Sequence, residues 1–444
     1  MKRVLVIAYF FPPLGGGGVQ RTLKLVRYLE PHGWASTVVT AREEDYWILD
    51  PSLLDEVPAT TEILRAGGLT SLRLLRLLSR GGATIEHAQE RRDRRSFQRL
   101  RRVQSWLWIP DGYRPWAREA QRTAIRRIAA GGIDALWTTS SPESAHLAGL
   151  VLRRRFGIPW IADFRDPWVG RVTYQPPTKW HDARHRELER AVVSAADRVT
   201  LVSDEMTALY RKRYRDLPGE RFLTIPNGYD PDDWRRADGL LTATSTTELS
   251  RRRFVLLHAG QLAHRPSART LLEAARIVLA SDPRAGEELT IRFLGGNEEL
   301  HPEEWEALGL APVVETSPSR PHLEALAAMR AADALVLLGH GGSADALLYT
   351  GKIYEYLTSG RPVLGLVDEG PAADLIRATG AGVVRGASDA KGAAEVLRTW
   401  LGAWRRGEPI AASVPDFIAR DWDRKKMAET VAALLSSLTE PVRT

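Results

Sequence analysis

The sequence contains no cysteine. Disulfides, zinc–thiolate centres and cysteine nucleophiles are therefore excluded outright, and a reducing compartment is compatible with the chain. No apolar run approaches the roughly 20 residues that a membrane span needs. Met1-Lys2-Arg3 leads into Val4-Leu5-Val6-Ile7-Ala8, which is too short for the core of a secretory signal and lacks a cleavage site. No acidic cluster suited to a metal stands out, and no helix-turn-helix, zinc or RNA-binding pattern occurs. These absences predict a cytoplasmic protein, soluble or peripheral to the inner face of the cell membrane. They predict no cofactor, no metal and no nucleic-acid partner.

What is present is globular in kind. The chain has 444 residues, 44% hydrophobic and 26% charged, which is too long for one core and implies two domains. Lys and Arg exceed Asp and Glu by 62 to 55, and the excess is uneven. Residues 91–102 hold seven arginines against one acid, with Leu69, Leu72, Leu74, Leu75, Leu77 and Leu78 upstream and Trp106 and Trp108 after. The run reads as a solvated helix in a surface excursion, or as a peripheral contact with an anionic membrane surface.

Val4 to Phe10 is a continuous apolar run, as a buried parallel strand requires. It empties into Phe11-Pro12-Pro13-Leu14 and four glycines, Gly15 to Gly18, and then a helix from Val19 to Glu30 with apolar residues at helical spacing. Ser36 to Thr40 makes a second strand. Strand, glycine loop, helix, strand is the opening of a doubly wound sheet. A dinucleotide fingerprint is incomplete here: Gly15 and Gly17 fit, but Gln20 stands where a third glycine belongs, and two prolines lengthen the loop. An oxidoreductase reading ranks lower for that reason.

Residues 50–120 show little periodicity and are expected to be helices and loops. Strands resume at Gly132 to Thr139 and Pro159 to Ala162, with a helix from Glu143 to Phe156 between them. The second of these strands ends in Asp163-Phe164-Arg165-Asp166-Pro167-Trp168. Polar residues at the carboxyl end of a central strand are where open α/β sheets bind ligands, so Asp163, Arg165 and Asp166 are site candidates. The competing reading is an internal Asp–Arg bridge that shapes the loop. After a helix over His181 to Ser194 and a strand at Arg198 to Val202, Pro226-Asn227-Gly228 closes the first half, and the polar stretch 240–247 reads as a linker.

The pattern then restarts. Strands are expected at Phe254 to Ala259, Leu289 to Leu294, Ala334 to Leu338 and Pro362 to Val367, with a helix from Ser267 to Leu279. Gly260 and Gln261 follow the first of these strands, Arg265 stands beside the next helix, and His340 follows the third. Thr350-Gly351-Lys352-Ile353-Tyr354-Glu355 predicts a helix capped by Thr350, with backbone N–H groups and an ammonium at its start. Glu355, one turn on, can accept two hydrogen bonds from a sugar diol. Diphosphate at the helix start and ribose at the carboxylate describe a nucleoside-diphosphate ligand; a solvated Lys–Glu pair is the plainer alternative.

Taken together, Phe11-Pro12-Pro13, Gly16 to Gly18 with Gln20-Arg21, Trp108-Ile109-Pro110-Asp111, Ser141-Pro142, Asp163 to Trp168, Pro226 to Gly228, Gly260 to Leu262 and Gly351 to Leu357 resemble the GT-B glycosyltransferases of the large retaining family 4 type. The resemblance spans nearly the whole chain. It implies two Rossmann-like doubly wound α/β domains facing a central cleft, residues 1–238 binding an acceptor and 250–418 binding a nucleotide sugar, with a terminal helix at about 420–440 packing back on the first. Family 4 members need no metal, and the donor is a substrate rather than a cofactor.

Carried over by position, Glu355 matches the ribose-binding glutamate of the family's E-x7-E signature. Its partner falls at Leu347, so that half is missing, with Asp345 nearby. Arg265 and Lys352 match the basic pair on the diphosphate, while Arg165 or Asp166 occupies the place of a donor-contacting histidine. The expected catalytic set is Asp163, Arg165, Asp166, Arg265 and Lys352. Gly17, Gly18, Gly260, Gln261, His340, Leu348, Tyr349, Thr350, Gly351 and Glu355 complete the donor site. The implied reaction moves a sugar, with retention, to a hydroxyl of a small-molecule or lipid-linked acceptor, in cell-envelope glycan or secondary-metabolite synthesis. The missing glutamate raises a catalytically silent nucleotide-sugar-binding subunit as a second reading, and a nucleotide-sugar epimerase on the same fold is a third.

Overall fold

The computed structural model describes residues 1–46, 48–68, 104–171, 174–244, 253–262, 265–295, 300–342, 351–410 and 420–440. The basic run at 91–102, the leucines upstream of it, Asp345, and the expected donor residues Leu348, Tyr349 and Thr350 lie outside that set.

Each continuous apolar run forms a central strand. The first sheet holds β1 (Lys2–Ile7), β2 (Trp34–Ala41), β3 (Glu62–Ala66), β4 (Ala135–Thr139), β5 (Trp160–Phe164), β6 (Arg198–Leu201) and β7 (Phe222–Thr224), all parallel, in the order β3-β2-β1-β4-β5-β6-β7. Along β1, Leu5 and Ile7 enter one core while Val4 and Val6 enter another on the opposite face. Burial on both faces is what an uninterrupted apolar run encodes. One face is closed by the chain's last helix, Arg424–Thr439, whose Met427, Val431 and Leu435 share a core with Val4 and Val6. Three such side chains contribute roughly 5–9 kcal/mol of apolar burial before entropy is counted.

The second sheet repeats the plan with β8 (Phe254–Ala259), β9 (Leu289–Leu294), β10 (Val314–Ser317), β11 (Ala334–Leu338), β12 (Val363–Leu366) and β13 (Gly382–Arg385), in the order β10-β9-β8-β11-β12-β13. The chain forms two compact units, Met1–Pro226 with Arg424–Thr444, and Asn227–Asp423. The first unit therefore ends before the expected residue 238. The reason is the helix Pro231–Thr244, whose Trp234 and Ala237 are buried in a core of the second unit. The expected linker at 240–247 is, through Thr244, the end of this helix.

The structure also adds four strands that apolar runs do not mark: β3, β7, β10 and β13. All four are sheet edges. β13 is half-buried throughout, and β10 has one buried residue followed by two exposed ones. An edge strand pairs on one side only and keeps polar residues, so it carries no continuous apolar signature.

Candidate functional site

In the second unit the expected donor residues gather at the carboxyl ends of β8 and β11. Tyr356, on the helix Lys352–Thr358, fixes the end of β8: its hydroxyl accepts from the Ala259 N–H at 2.7 Å and donates to the Ala259 carbonyl at 3.3 Å. The next residue, Gly260, has φ +129°, a conformation that side chains rarely adopt. A Cβ there would stand 1.5 Å from the Lys352 Nζ, so the glycine leaves the space in which the ammonium sits. Arg265 donates to the Leu338 carbonyl, and Ser267 Oγ donates to the Gly339 carbonyl at 2.8 Å. These bonds clamp the start of the helix Ser267–Ser281 to the end of β11, directly before His340, which is half-buried. Gln261 is exposed, and Gly351 packs beside Asn227.

The electrostatics of this cluster bring two cations, Lys352 and Arg265, within range of each other. Burial strips water from the Lys352 ammonium, and the Arg265 charge opposes it; Glu355 pulls the other way, and the net result lowers its pKa to about 7. His258, beneath the site on β8 with Nδ1 3.0 Å from the Val336 carbonyl, is held neutral by burial and by the same two cations. The helix Lys352–Thr358 is only seven residues long. The charge available to an anion therefore rests on the two cations rather than on a macrodipole.

Glu355 is buried. His322 Nε2 lies 3.9 Å from Glu355 Oε1 and 3.4 Å from Asp233 Oδ2, so one imidazole stands between two carboxylates. Three helices supply these groups, and Trp234 Nε1 donates to Thr358 Oγ1 at 3.1 Å to hold two of them together. Neither His322 nor Asp233 was expected from the sequence. Nothing in the spacing of positions 233, 322 and 355 joins them.

The first unit gathers the remaining candidates, with a different result. Asp163 at the end of β5 is fully buried and accepts four hydrogen bonds: from Arg21 Nε at 3.0 Å and Nη2 at 2.7 Å, from Thr139 Oγ1 at 2.8 Å and from Thr200 Oγ1 at 2.7 Å. Arg21 and these hydroxyls keep its carboxyl below the usual carboxylate range despite burial. Its oxygens are occupied by the fold. Asp163 is thus a positioning residue that ties the first helix to three strands, as the Asp–Arg alternative has it, rather than a base facing substrate.

Arg165 is likewise structural in its bonds. It donates to the carbonyls of Gly18, Ser140 and Ser141 and lies over the Phe10 ring at 5.4 Å, joining the glycine loop to the loop after β4. Gly17 and Gly18 are exposed, and a Cβ on Gly17 would meet nothing within 4 Å; the conformation demands glycine at Gly16, with φ +88°. Asp166 makes no hydrogen bond among the described residues, and burial raises its pKa against the pull of Arg165 and Arg171. Asp111 is a residue that sequence reasoning quoted without assigning. It accepts from Tyr113 N at 2.9 Å, Ser144 N at 2.9 Å and Ser144 Oγ at 2.8 Å, and burial with the Glu143 charge raises its pKa to about 7.

Comparison with known proteins bears on both units. Residues 16–228 match the family described as the glycosyl transferase 4-like domain. Residues 16–228 thus carry a glycosyl transferase 4-like domain. The fold agrees. Sucrose-phosphate synthase from Thermosynechococcus elongatus aligns over 99% of each chain with TM-score 0.65 at 16% identity. Anabaena HepE in complex with UDP and glucose aligns over 98% of this chain and 100% of its own, with TM-score 0.62 at 16% identity. UDP-GlcNAc 2-epimerase from Neisseria meningitidis aligns over 98% of this chain and 100% of its own, with TM-score 0.55 at 12% identity. At such identities the likeness establishes the GT-B architecture alone. No curated protein sequence matches the chain.

Proposed function

We propose that this glycosyltransferase transfers a sugar, with retention, from a nucleoside-diphosphate donor to the hydroxyl of a small-molecule or lipid-linked acceptor. The second unit holds the donor and the first unit the acceptor. The observation that carries the reading is the Lys352 ammonium seated against Gly260 beside Arg265. Two like charges held together in a buried place cost stability unless an anion joins them. A diphosphate supplies that anion, and Glu355, one helical turn from Lys352, is placed for the ribose diol. The donor class is supported by the UDP of the HepE complexes and the UDP-GlcNAc of the Neisseria epimerase.

In this reading, charge that builds on the departing diphosphate is met by Arg265 and Lys352 rather than by a metal. The departing phosphate takes the proton of the acceptor hydroxyl, so no strong base is needed. That agrees with Asp163 being consumed by Arg21 and two threonines. Asp166, two residues past the end of β5, contacts the acceptor. The location fits the cell interior or the inner membrane face, where sugar nucleotides for envelope glycans or secondary metabolites are made. No helix among the described residues is long and apolar enough to cross a membrane.

The experiment is incubation of the pure protein with UDP-, GDP- and dTDP-sugars, with and without acceptor extracts, reading nucleotide release and sugar identity. Nucleotide release that depends on acceptor supports the transferase. Isomerised sugar without release assigns the epimerase activity instead, and binding without turnover assigns a silent subunit.

A further inference from the structure

Asp368 stands two residues past the end of β12 and is half-buried. Its two carboxylate oxygens serve two different loops. Oδ2 accepts from the Gly342 N–H at 2.6 Å, in the loop that follows β11, and Oδ1 accepts from the Ala387 N–H at 2.9 Å, in the loop that follows β13. One side chain thus joins the ends of three neighbouring strands. The next residue, Glu369, is exposed and spends both its oxygens on the Arg377 guanidinium, at 2.6 and 2.7 Å.

The loop after β11 is the one that carries His340. It leaves the strand with the Gly339 N–H donating to the Leu366 carbonyl at 2.9 Å and the Gly339 carbonyl accepting from Ser267 Oγ at 2.8 Å. Gly341 and Gly342 follow with φ +78° and +63°, and neither offers a side chain to anchor the turn. The place of this loop therefore depends on bonds to its backbone. Ala387 is tied in its own right, because its carbonyl accepts from Thr270 Oγ1 at 2.7 Å. Ser267 and Thr270 lie on one helix, Ser267–Ser281, so two chains of hydrogen bonds run from it to the loop of His340. Asp368 completes the second.

The sign of the charge is informative. Asp368 lies at the same end of the sheet as Lys352 and Arg265, where a carboxylate acting through space alone opposes an anionic ligand. A charge-assisted bond to each of two amides gives it a different use. We infer that Asp368 is a positioning residue for the donor site: by holding Gly342 and Ala387 on one carboxylate, it sets the loop in which His340 meets the donor. The inference rests on the nucleoside-diphosphate reading and adds to it a residue that touches no ligand.

The test is calorimetric titration of the full chain with UDP, together with amide hydrogen exchange over residues 339–342 and 385–388. Asp368→Asn keeps the size and one acceptor oxygen and should lower UDP affinity about threefold, and Asp368→Ala about tenfold. Exchange at Gly342 and Ala387 should quicken in both. Glu369→Ala withdraws the same charge one residue away and is expected to leave affinity and exchange as they are. In a His340→Ala background, Asp368→Asn should lower affinity by much less than it does alone. Unchanged or raised affinity in Asp368→Asn overturns the inference, the first outcome marking a purely structural bond and the second a charge acting through space. Full additivity with His340→Ala overturns it as well. Failure of the wild type to bind UDP is a different result, seen before any substitution, and removes the donor reading and this inference together.

Discussion

Asp163 in the first unit and Lys352 in the second both carry charge beside the carboxyl end of a buried strand, yet their surroundings are opposite. Asp163 is matched at once: a bidentate arginine and two threonine hydroxyls account for both its oxygens. Lys352 is buried and set beside another cation, and burial first, with the Arg265 charge second, lowers its pKa to about 7 against the pull of Glu355. Charge that the fold neutralises internally holds elements in place; charge that the fold crowds against like charge is held ready for a ligand. By that criterion the resemblance, which placed both residues in one catalytic set, joined two different roles.

The largest effect that separates them is on stability. Asp163→Ala strands the buried Arg21 guanidinium and should destabilise the first unit by about 3–5 kcal/mol, read as a fall in the urea midpoint. Its sign with pH follows from the lowered carboxyl pKa. The stabilisation is present above the ordinary carboxylate range and is lost as pH falls through the folded-state value. Lys352→Met should behave in the contrary way, with an unchanged or raised midpoint but nucleoside-diphosphate affinity reduced roughly 10- to 100-fold, the loss of a charge-assisted contact. Calorimetric titration of UDP checks it.

A titration sharpens the same contrast. Because Lys352 loses its proton near pH 7 in the free protein, UDP affinity should decline as pH rises above about 7. That slope should vanish in Lys352→Met. Gly260→Ala places a methyl where the ammonium lies and should cost about tenfold in affinity, with the added strain of φ +129°. The smallest effect is expected from His322→Ala. Removing the imidazole between Asp233 and Glu355 should weaken donor binding about fivefold, near 1 kcal/mol, by leaving two carboxylates to repel each other. If His322→Ala lowers stability and leaves affinity alone, Glu355 belongs with Asp163 among the residues the fold consumes.

The architecture was legible wherever strands are buried on both faces. Val4 to Ile7, Phe254 to Ala259 and Ala334 to Leu338 declare themselves by composition, since every residue there but His258 is apolar. The edges did not. Glu62-Ile63-Leu64-Arg65-Ala66 and Gly382-Val383-Val384-Arg385 look like many loops, because pairing on one side leaves half of each strand in solvent. The start of the second unit was also misplaced. Asn227 to Thr244 carries the turn residues and polarity of a boundary, and only the burial of Trp234 against the second sheet's helices assigns it there.

For the site, the chain alone determined the residue types and the order of the motifs, and with them the two parallel sheets. Hydrophobic periodicity and glycine placement are local properties, so a linear reading recovers them. Tertiary structure decided which charges are neutralised and which are not. Arg21 lies 142 positions from Asp163, and the His322 imidazole reaches Glu355 across helices far apart in the chain. Electrostatic roles depend on distances through space and on the water that packing removes, and neither quantity exists until the chain has folded.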